Sequence, residues 1–420
     1  MSTAPLAPHA MIIGGGIVGI TTAAQLQRQG FRVTIIERGP VGEGCSFGNA
    51  GILAFADVLP TVRPRVLLKI PGWLLDPLGP LTIRPSYLFK ALPWFLAATR
   101  NALPQRVAAI TEARAALCRS VVDDHRELLK GANAADLMVE RETLRVFETE
   151  AEFEAEAHER QVKAEHGCHS TIYSAGECRE MEPELAPHIV KGATHGGWYF
   201  VRSPLKVTQA IAETVVRGGG EIIADEVTAI EVKDGKATAL RLRSRGTIAV
   251  DRVVVTAGAY SNLLLKPLGE KIMLEAERGY HIELPDPGIS LSRPITFART
   301  PAVITPMEGC LRIAGTDEFA GLDAPENWQR ADALYQNYKA ILPGLKAPGD
   351  SARRWMGRRP GTPDSLPVIG PSTRAANLWY NFGQSHMGLS WAPTSARLLA
   401  QLMAGKKPSV DMSPYRADRF

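Results

Sequence analysis

The hydrophobic period changes twice within the first forty residues. An apolar run through Met11-Ile-Ile reaches Gly14-Gly-Gly16-Ile-Val-Gly19, a stretch with helical character continues to Gly30, and Arg32-Val-Thr-Ile-Ile-Glu37 forms a second apolar run ending in an acid. Such a switch from strand to helix and back predicts a βαβ unit. Further along, Val107, Ile110, Ala113, Leu117, Val121 and Leu128 recur at helical spacing and predict one long amphipathic helix. Thr143 to Phe147 reads as a strand and Glu150 to His166 as a charged surface helix. Ser203 and Pro204 have the chemistry of an N-cap and a first helical residue, Leu205, Ile211 and Val215 give that helix an apolar face, and Gly218 to Gly220 close it. Short alternating strands run to Asp251, followed by the β-branched strand Arg252-Val-Val-Val. Lys271 to Thr316 is strand-rich, with a helix expected over Asn327 to Leu342. The tail predicts a strand over Leu378 to Phe382, a loop from Gly383 to Gly388 and a helix from Ser390 to Met403.

The spacing in the first unit gives each residue a physical task. Gly14 permits a tight turn, Gly16 lets the backbone approach a pyrophosphate, and Gly19 lets helix and strand pack closely. The helix start then offers the unpaired N–H groups of Ile17 and Val18 to phosphate oxygens. Glu37 suits a ribose 2′-hydroxyl and repels a 2′-phosphate, so NADP is disfavoured. Two more glycine-bearing loops, Gly42–Gly51 and Gly383–Gly388, suggest a longer ligand with several close backbone approaches. FAD needs these; a nicotinamide cofactor needs chiefly the first. The last loop precedes a helix, whose Met387, Gly388 and Leu389 amides could face the flavin N1–C2=O edge, where reduction leaves negative charge.

Composition narrows the setting. With 420 residues there is room for two sizeable cores, and 45% hydrophobic with 22% charged residues is ordinary for a globular chain. A net charge of +4 argues against a nucleic-acid partner. The N-terminus lacks the charged and apolar regions of a signal peptide, and no apolar run approaches the ~20 residues of a membrane span. Five scattered cysteines suit reduced thiols and a cytoplasmic setting. Between Val58 and Arg106, seven basic residues face one acid, Asp76, beside eight prolines and the apolar patches Ile70–Leu75 and Leu88–Leu96. This +6 excursion (seven minus one) reads either as a solvated segment whose aromatics pack on the core or as a surface meeting an anionic membrane face.

Over nearly its full length the chain resembles the D-amino-acid oxidase superfamily of FAD enzymes, closest to the D-amino-acid dehydrogenase and glycine oxidase branch. The resemblance rests on Gly14-x-Gly16-x-x-Gly19 with Glu37, Ser46-Phe-Gly-Asn49-Ala-Gly51, Val255-Thr-Ala-Gly258, Arg278-Gly-Tyr280, Gly357-Arg-Arg359-Pro-Gly-Thr362-Pro-Asp364, Pro367-Val-Ile-Gly370 and the tail from Met387. It implies an α/β fold in which a Rossmann-like FAD-binding domain (9–57, 198–268 and 354–412) is interleaved with a strand-rich α+β substrate-binding domain (58–197 and 269–353). Non-covalent FAD would be held first by the turn from Gly14 to Gly19, with Glu37 and Arg38. Cys45, Ser46, Asn49, Ala50 and Gly51 would follow, then Val227, Ala257 and Gly258, and last Met387, Gly388, Leu389 and Ser390. Arg359 matches the arginine that clamps the substrate carboxylate; the competing reading pairs it with Asp364. His386 and Tyr280 are the other candidate catalytic residues, each with a plain structural alternative. Val303 stands where glycine oxidases carry a tyrosine, which argues for a roomier or more apolar pocket. The role of Arg358 is open. His166, Cys168, His169 and Cys178 are spaced too irregularly for a metal site.

The implied reaction is oxidation of a D-amino acid or cyclic imino acid of the D-proline or hydroxy-D-proline type, with oxygen or a quinone as acceptor. Alternatives are a sarcosine-type N-methyl amino acid oxidase and a flavin-binding protein without turnover.

Overall fold

The computed structural model describes residues 7–194, 196 and 198–420. Its elements that matter for the site are, in chain order, β1 (His9–Ile13), α1 (Ile17–Arg28), β2 (Arg32–Glu37), α2 (Leu88–Asn101), α3 (Pro204–Arg217), β3 (Glu221–Ala224) and β4 (Arg252–Val255). They continue with β5 (Glu275–Leu284), β6 (Thr300–Met307), β7 (Cys310–Phe319), β8 (Arg353–Gly361), β9 (Val368–Pro371), β10 (Leu378–Phe382) and α4 (Gly388–Met403).

One sheet has the order β3-β2-β1-β4-β10-β9, parallel except for β9. Its central strands are apolar on both faces because both faces are covered. Ile12, Ile35 and Val254 pack towards α1, α3 and α4. Met11, Ile13, Val253 and Val255 pack on the other side against a three-stranded meander, Val227–Ala249, through Ile230, Leu240 and Leu242. The second sheet has nine strands, with β8-β5-β7-β6 at one end and helix Gln329–Ile341 behind it. Leu334, Tyr338 and Ile341 fill the space against Ile282, Ile304 and Ile313.

The expected α3 start holds: Ser203 Oγ accepts from Lys206 N at 3.3 Å, with Pro204 in the first turn. The long helix expected over 107–128 is instead two, Pro104–Cys118 and Val121–Gly131, whose apolar faces stay in phase across a short break. Glu150–His166 likewise divides into Glu150–Ala155 and Ala157–Glu165. The break falls at Glu156, whose carboxylate binds Arg145 at 2.5 Å. The helix expected from Ser390 begins two residues earlier, at Gly388. Strand β8, which opens the last expected block of the nucleotide domain, pairs along its length with β5 in the second sheet.

The basic excursion folds into two short helices, Pro64–Leu67 and Ile70–Leu75, an edge strand, and α2. Trp94 and Phe95 of α2 pack on Phe319 with ring centroids 5.1 and 4.8 Å away, and Trp94 Nε1 donates to Gly361 O at 3.1 Å. Part of the segment therefore belongs to the core, while Leu68, Leu75, Phe89 and Leu96 stand in solvent. No helix among the described residues is long and apolar enough to cross a membrane.

Candidate active site

A cavity of about 1200 Å³ runs from the C-terminal edge of the parallel sheet to the floor formed by β5, β7 and β8. Ligands of open α/β sheets sit at that edge, and this volume exceeds the ~300–1000 Å³ of an ordinary small-molecule pocket.

The edge end is built from backbone. Gly14 has φ +112°, and a Cβ there would stand 2.8 Å from Thr256 O; a Cβ on Gly19 would fall onto the Gly14 carbonyl. Helix α1 thus starts as close to the strands as the chain permits. No acid sits in its first turn, but the Ile17 N–H, expected to be open to phosphate, already donates to Ser46 Oγ at 2.9 Å. Ile17 and Val18 line the cavity. Glu37, at the end of β2, accepts from Gly15 N at 2.5 Å and Gly39 N at 3.0 Å. Beside it the Arg38 guanidinium lies 3.8 Å over the Tyr260 ring. Val227, Ala257 and Gly258 continue the same wall, Gly258 with φ +55°.

The loop containing Cys45, Ser46, Asn49, Ala50 and Gly51 folds on itself. Asn49 donates to Ser46 O and accepts from Gly51 N at 2.7 Å, and Gly51 takes φ +72°. Its outward carbonyls are gripped by the second sheet. Arg312 donates to Phe47 O and Asn49 O at 2.8 and 2.7 Å, Thr305 Oγ1 to Ala50 O at 2.9 Å, and His281 Nδ1 meets Gly48 O at 2.9 Å. Arg312 is fixed in turn by Glu283 at 2.6 Å. At the far side, Met387 N donates to Gln384 O at 2.8 Å, while Gly388 and Leu389 open α4, whose first turn also lacks an acid. First-turn amides have no partner inside a helix. Ser390 is not itself among the lining residues: its hydroxyl accepts from Ala54 N at 2.9 Å and donates to Ile52 O at 3.3 Å, holding a neighbouring segment that does line the cavity. Glycine cradles, two helix starts free of acids and an edge carboxylate together fit a long dinucleotide such as FAD.

The floor end is built from charged side chains. Glu277 of β5 and Arg359 of β8 are cross-strand partners. Arg359 donates to Asp317 Oδ1 at 2.6 Å and Thr316 O at 3.1 Å. It does not pair with Asp364, which is bound by Arg419 at 2.7 Å. His386 lies between the two acids, with Nε2 3.2 Å from Asp317 Oδ1 and Nδ1 3.7 Å from Glu277 Oε2. Two strained residues aim these groups. Thr316 (φ +62°) sits where the pairing of β5 with β7 slips, directly before Asp317, and Ser385 (φ +47°) directly precedes His386. Positive φ in a β-branched residue is costly, and bulges beside active sites re-aim side chains.

Charge follows from this crowding. Burial pushes the Glu277 carboxyl up, against the pull of His386, and the negative Asp317 adds to the rise. Burial would push Asp317 up too, but His386 and Arg359 outweigh it and hold its carboxyl below the ordinary value. Desolvation alone would lower His386, but the two carboxylates raise it. Glu277, Asp317 and His386 are the one group of metal-ligand type among the described residues, with ligand atoms within 4.8 Å of one another. The Arg359 guanidinium on Asp317 opposes a cation there.

Tyr280 borders the cavity with its ring, but its hydroxyl is committed, donating to Glu318 Oε2 at 2.6 Å and accepting from Asn327 N at 3.1 Å. Burial and the Glu318 carboxylate push it up to about 12. Val303 lines the cavity. Arg358 donates to Leu322 O at 2.6 Å. Glu277 and Asp317 had no mark in the sequence: Glu277 precedes Arg278-Gly-Tyr280 by one position, and the bulge that presents Asp317 leaves no periodic trace.

The family model for FAD dependent oxidoreductases matches residues 9–402. A D-amino-acid oxidase from Bradyrhizobium diazoefficiens is 34% identical over 424 residues, covering 99% of this chain and 100% of that protein. A D-amino acid dehydrogenase 2 from Ralstonia nicotianae is 32% identical, covering 97% and 99%. Among solved structures, glycine oxidase from Geobacillus kaustophilus superposes with a TM-score of 0.74 at 21% identity, covering 99% of this chain and all (100%) of that one. L-proline dehydrogenase from P. horikoshii gives 0.73 at 18% identity, covering 99% and 98%. The chain belongs to the family of FAD-dependent oxidoreductases, and within it to the amino acid oxidases and dehydrogenases.

Proposed function

We propose that this enzyme oxidises a D-amino acid or a cyclic imino acid of the D-proline or hydroxy-D-proline type. The carrying observation is Arg359, a largely buried guanidinium that faces the same cavity as the three glycine loops. Guanidinium stays charged at any working pH and can offer a carboxylate two parallel N–H groups. The glycine loops and the start of α4 would hold FAD, which would supply a hydride acceptor for the α-carbon; a primary amine would then end as a 2-oxo acid and a cyclic amine as a cyclic imine. The protein's part is to fix the carboxylate on Arg359 and to exclude bulk water beneath the α2 segment. The relatives named for D-amino acids support the substrate class. An anaerobic panel of D-, L-, cyclic and N-methyl amino acids tests it: D- or cyclic imino acids should bleach the flavin fastest. Formaldehyde release from an N-methyl substrate as the fastest reaction would move the assignment to a sarcosine-type oxidase.

The acceptor is proposed to be a quinone, met on the cytoplasmic face of an anionic membrane. Nine of the fifteen exposed large apolar side chains among the described residues lie between Leu68 and Leu103, inside the +6 segment. Each basic residue near such a surface contributes ~1 kcal/mol, so attachment should be loose and salt-sensitive. Anionic liposomes should co-sediment the enzyme at low salt and release it at high salt, and a soluble quinone should support faster turnover than oxygen. Peroxide formed as fast as substrate disappears, with the protein left in the supernatant, would make it a soluble oxidase.

A further inference from the structure

A substrate held by its carboxylate on Arg359 carries its amine as an ammonium at neutral pH, and hydride can leave the α-carbon only when the nitrogen has a free lone pair. A proton must therefore leave the nitrogen first. Glu277 is placed to receive it. It is the cross-strand partner of Arg359, it is 6% exposed, and its Oε2 has no hydrogen-bond partner, standing 3.7 Å from His386 Nδ1. A buried carboxylate oxygen without a partner is costly unless something supplies a donor. The groups facing it are His386 from the loop before α4, Asp317 from β7, Arg359 from β8 and Glu275 from its own strand. None of them donates to it.

We infer that Glu277 binds the substrate's α-ammonium and takes one proton from it, and that His386, held by Asp317, passes that proton to solvent. The step balances as ammonium plus carboxylate giving amine plus carboxylic acid; no electrons move. His386 suits the exit because its side chain is 33% exposed while Glu277 is enclosed. The strained Thr316 and Ser385, which set Asp317 and His386, fit the same purpose. This inference rests on the amino acid oxidation proposed above.

The test is anaerobic flavin reduction across pH with the panel amino acid that reacts fastest, and propionate as an amine-free carboxylate probe. In Glu277→Gln the rate at pH 7 should fall about 100-fold, the low end of general-base effects. The deficit should close as pH rises past the substrate amine's own pKa, where the ammonium proton is already gone. Propionate, read by its perturbation of the flavin spectrum, should bind within about threefold of the parent. Parallel pH profiles for parent and variant would overturn the inference, as would loss of propionate binding. His386→Asn should show a smaller deficit that closes over the same range, and it carries the test if Glu277→Gln fails to hold flavin. If no amino or imino acid bleaches the parent, the substrate reading itself falls, and this inference with it.

Discussion

The two ends of the cavity are built from opposite materials. At the sheet edge the lining is largely main chain: Gly14, Gly16, the stretch from Gly42 to Ala50 and the first turn of α4 let backbone come close, and charge comes from Glu37 and Arg38 with Glu43, Asp225, Glu226 and Arg243 nearby. At the floor, four ionisable side chains from β5, β7, β8 and the loop before α4 are joined in a chain, Arg359 to Asp317, Asp317 to His386 and His386 to Glu277. The first end should be intolerant of volume and nearly indifferent to pH. The second should tolerate some change of volume but respond to every change of charge.

The steepest way to break that contrast is Gly19→Val. The branched side chain would collide with the Gly14 carbonyl and Thr256, so the purified variant should contain no flavin and little folded protein. A yellow, soluble variant would show that the edge has room it is not expected to have. Next is Arg359→Lys, which keeps the charge and loses the paired N–H groups. A loss of ~2–4 kcal/mol in transition-state stabilisation is expected, a drop of roughly 30- to 1000-fold in kcat/KM, with flavin content unchanged. Efficiency within about fivefold of the parent would remove Arg359 as the clamp. Glu37→Ala should weaken FAD retention about tenfold, since it removes an acceptor for the ribose and for two turn amides. Flavin that stays with the polypeptide after acid precipitation would contradict non-covalent binding altogether. The smallest effect is reserved for Tyr280→Phe: a loss of about 1 kcal/mol in stability, read as a lower Tm, with a rate change far below that of Arg359→Lys.

Legibility divides along the same line. The edge was readable because main-chain recognition forces glycine and apolar runs into fixed spacing, so β1, α1 and β2 follow from the residues alone. The floor was readable only through likeness: Arg359 and His386 came from matched motifs, and their partners Glu277 and Asp317 did not come at all. Side chains that meet across three strands have no spacing in common, and a single left-handed residue such as Thr316 changes which way its neighbour faces without altering composition. The stretch 107–128 reads as one helix for a related reason, since a two-residue interruption that keeps phase preserves the apolar stripe.

The grip of Arg312, Thr305 and His281 on the carbonyls from Phe47 to Ala50 makes the two ends one mechanical unit. A loop that lines the proposed cofactor end takes its shape from strands that line the proposed substrate end. Attempts to widen substrate choice by altering β5, β6 or β7 will therefore leak cofactor before they lose chemistry. Variants of this kind are better screened first by retained colour than by turnover.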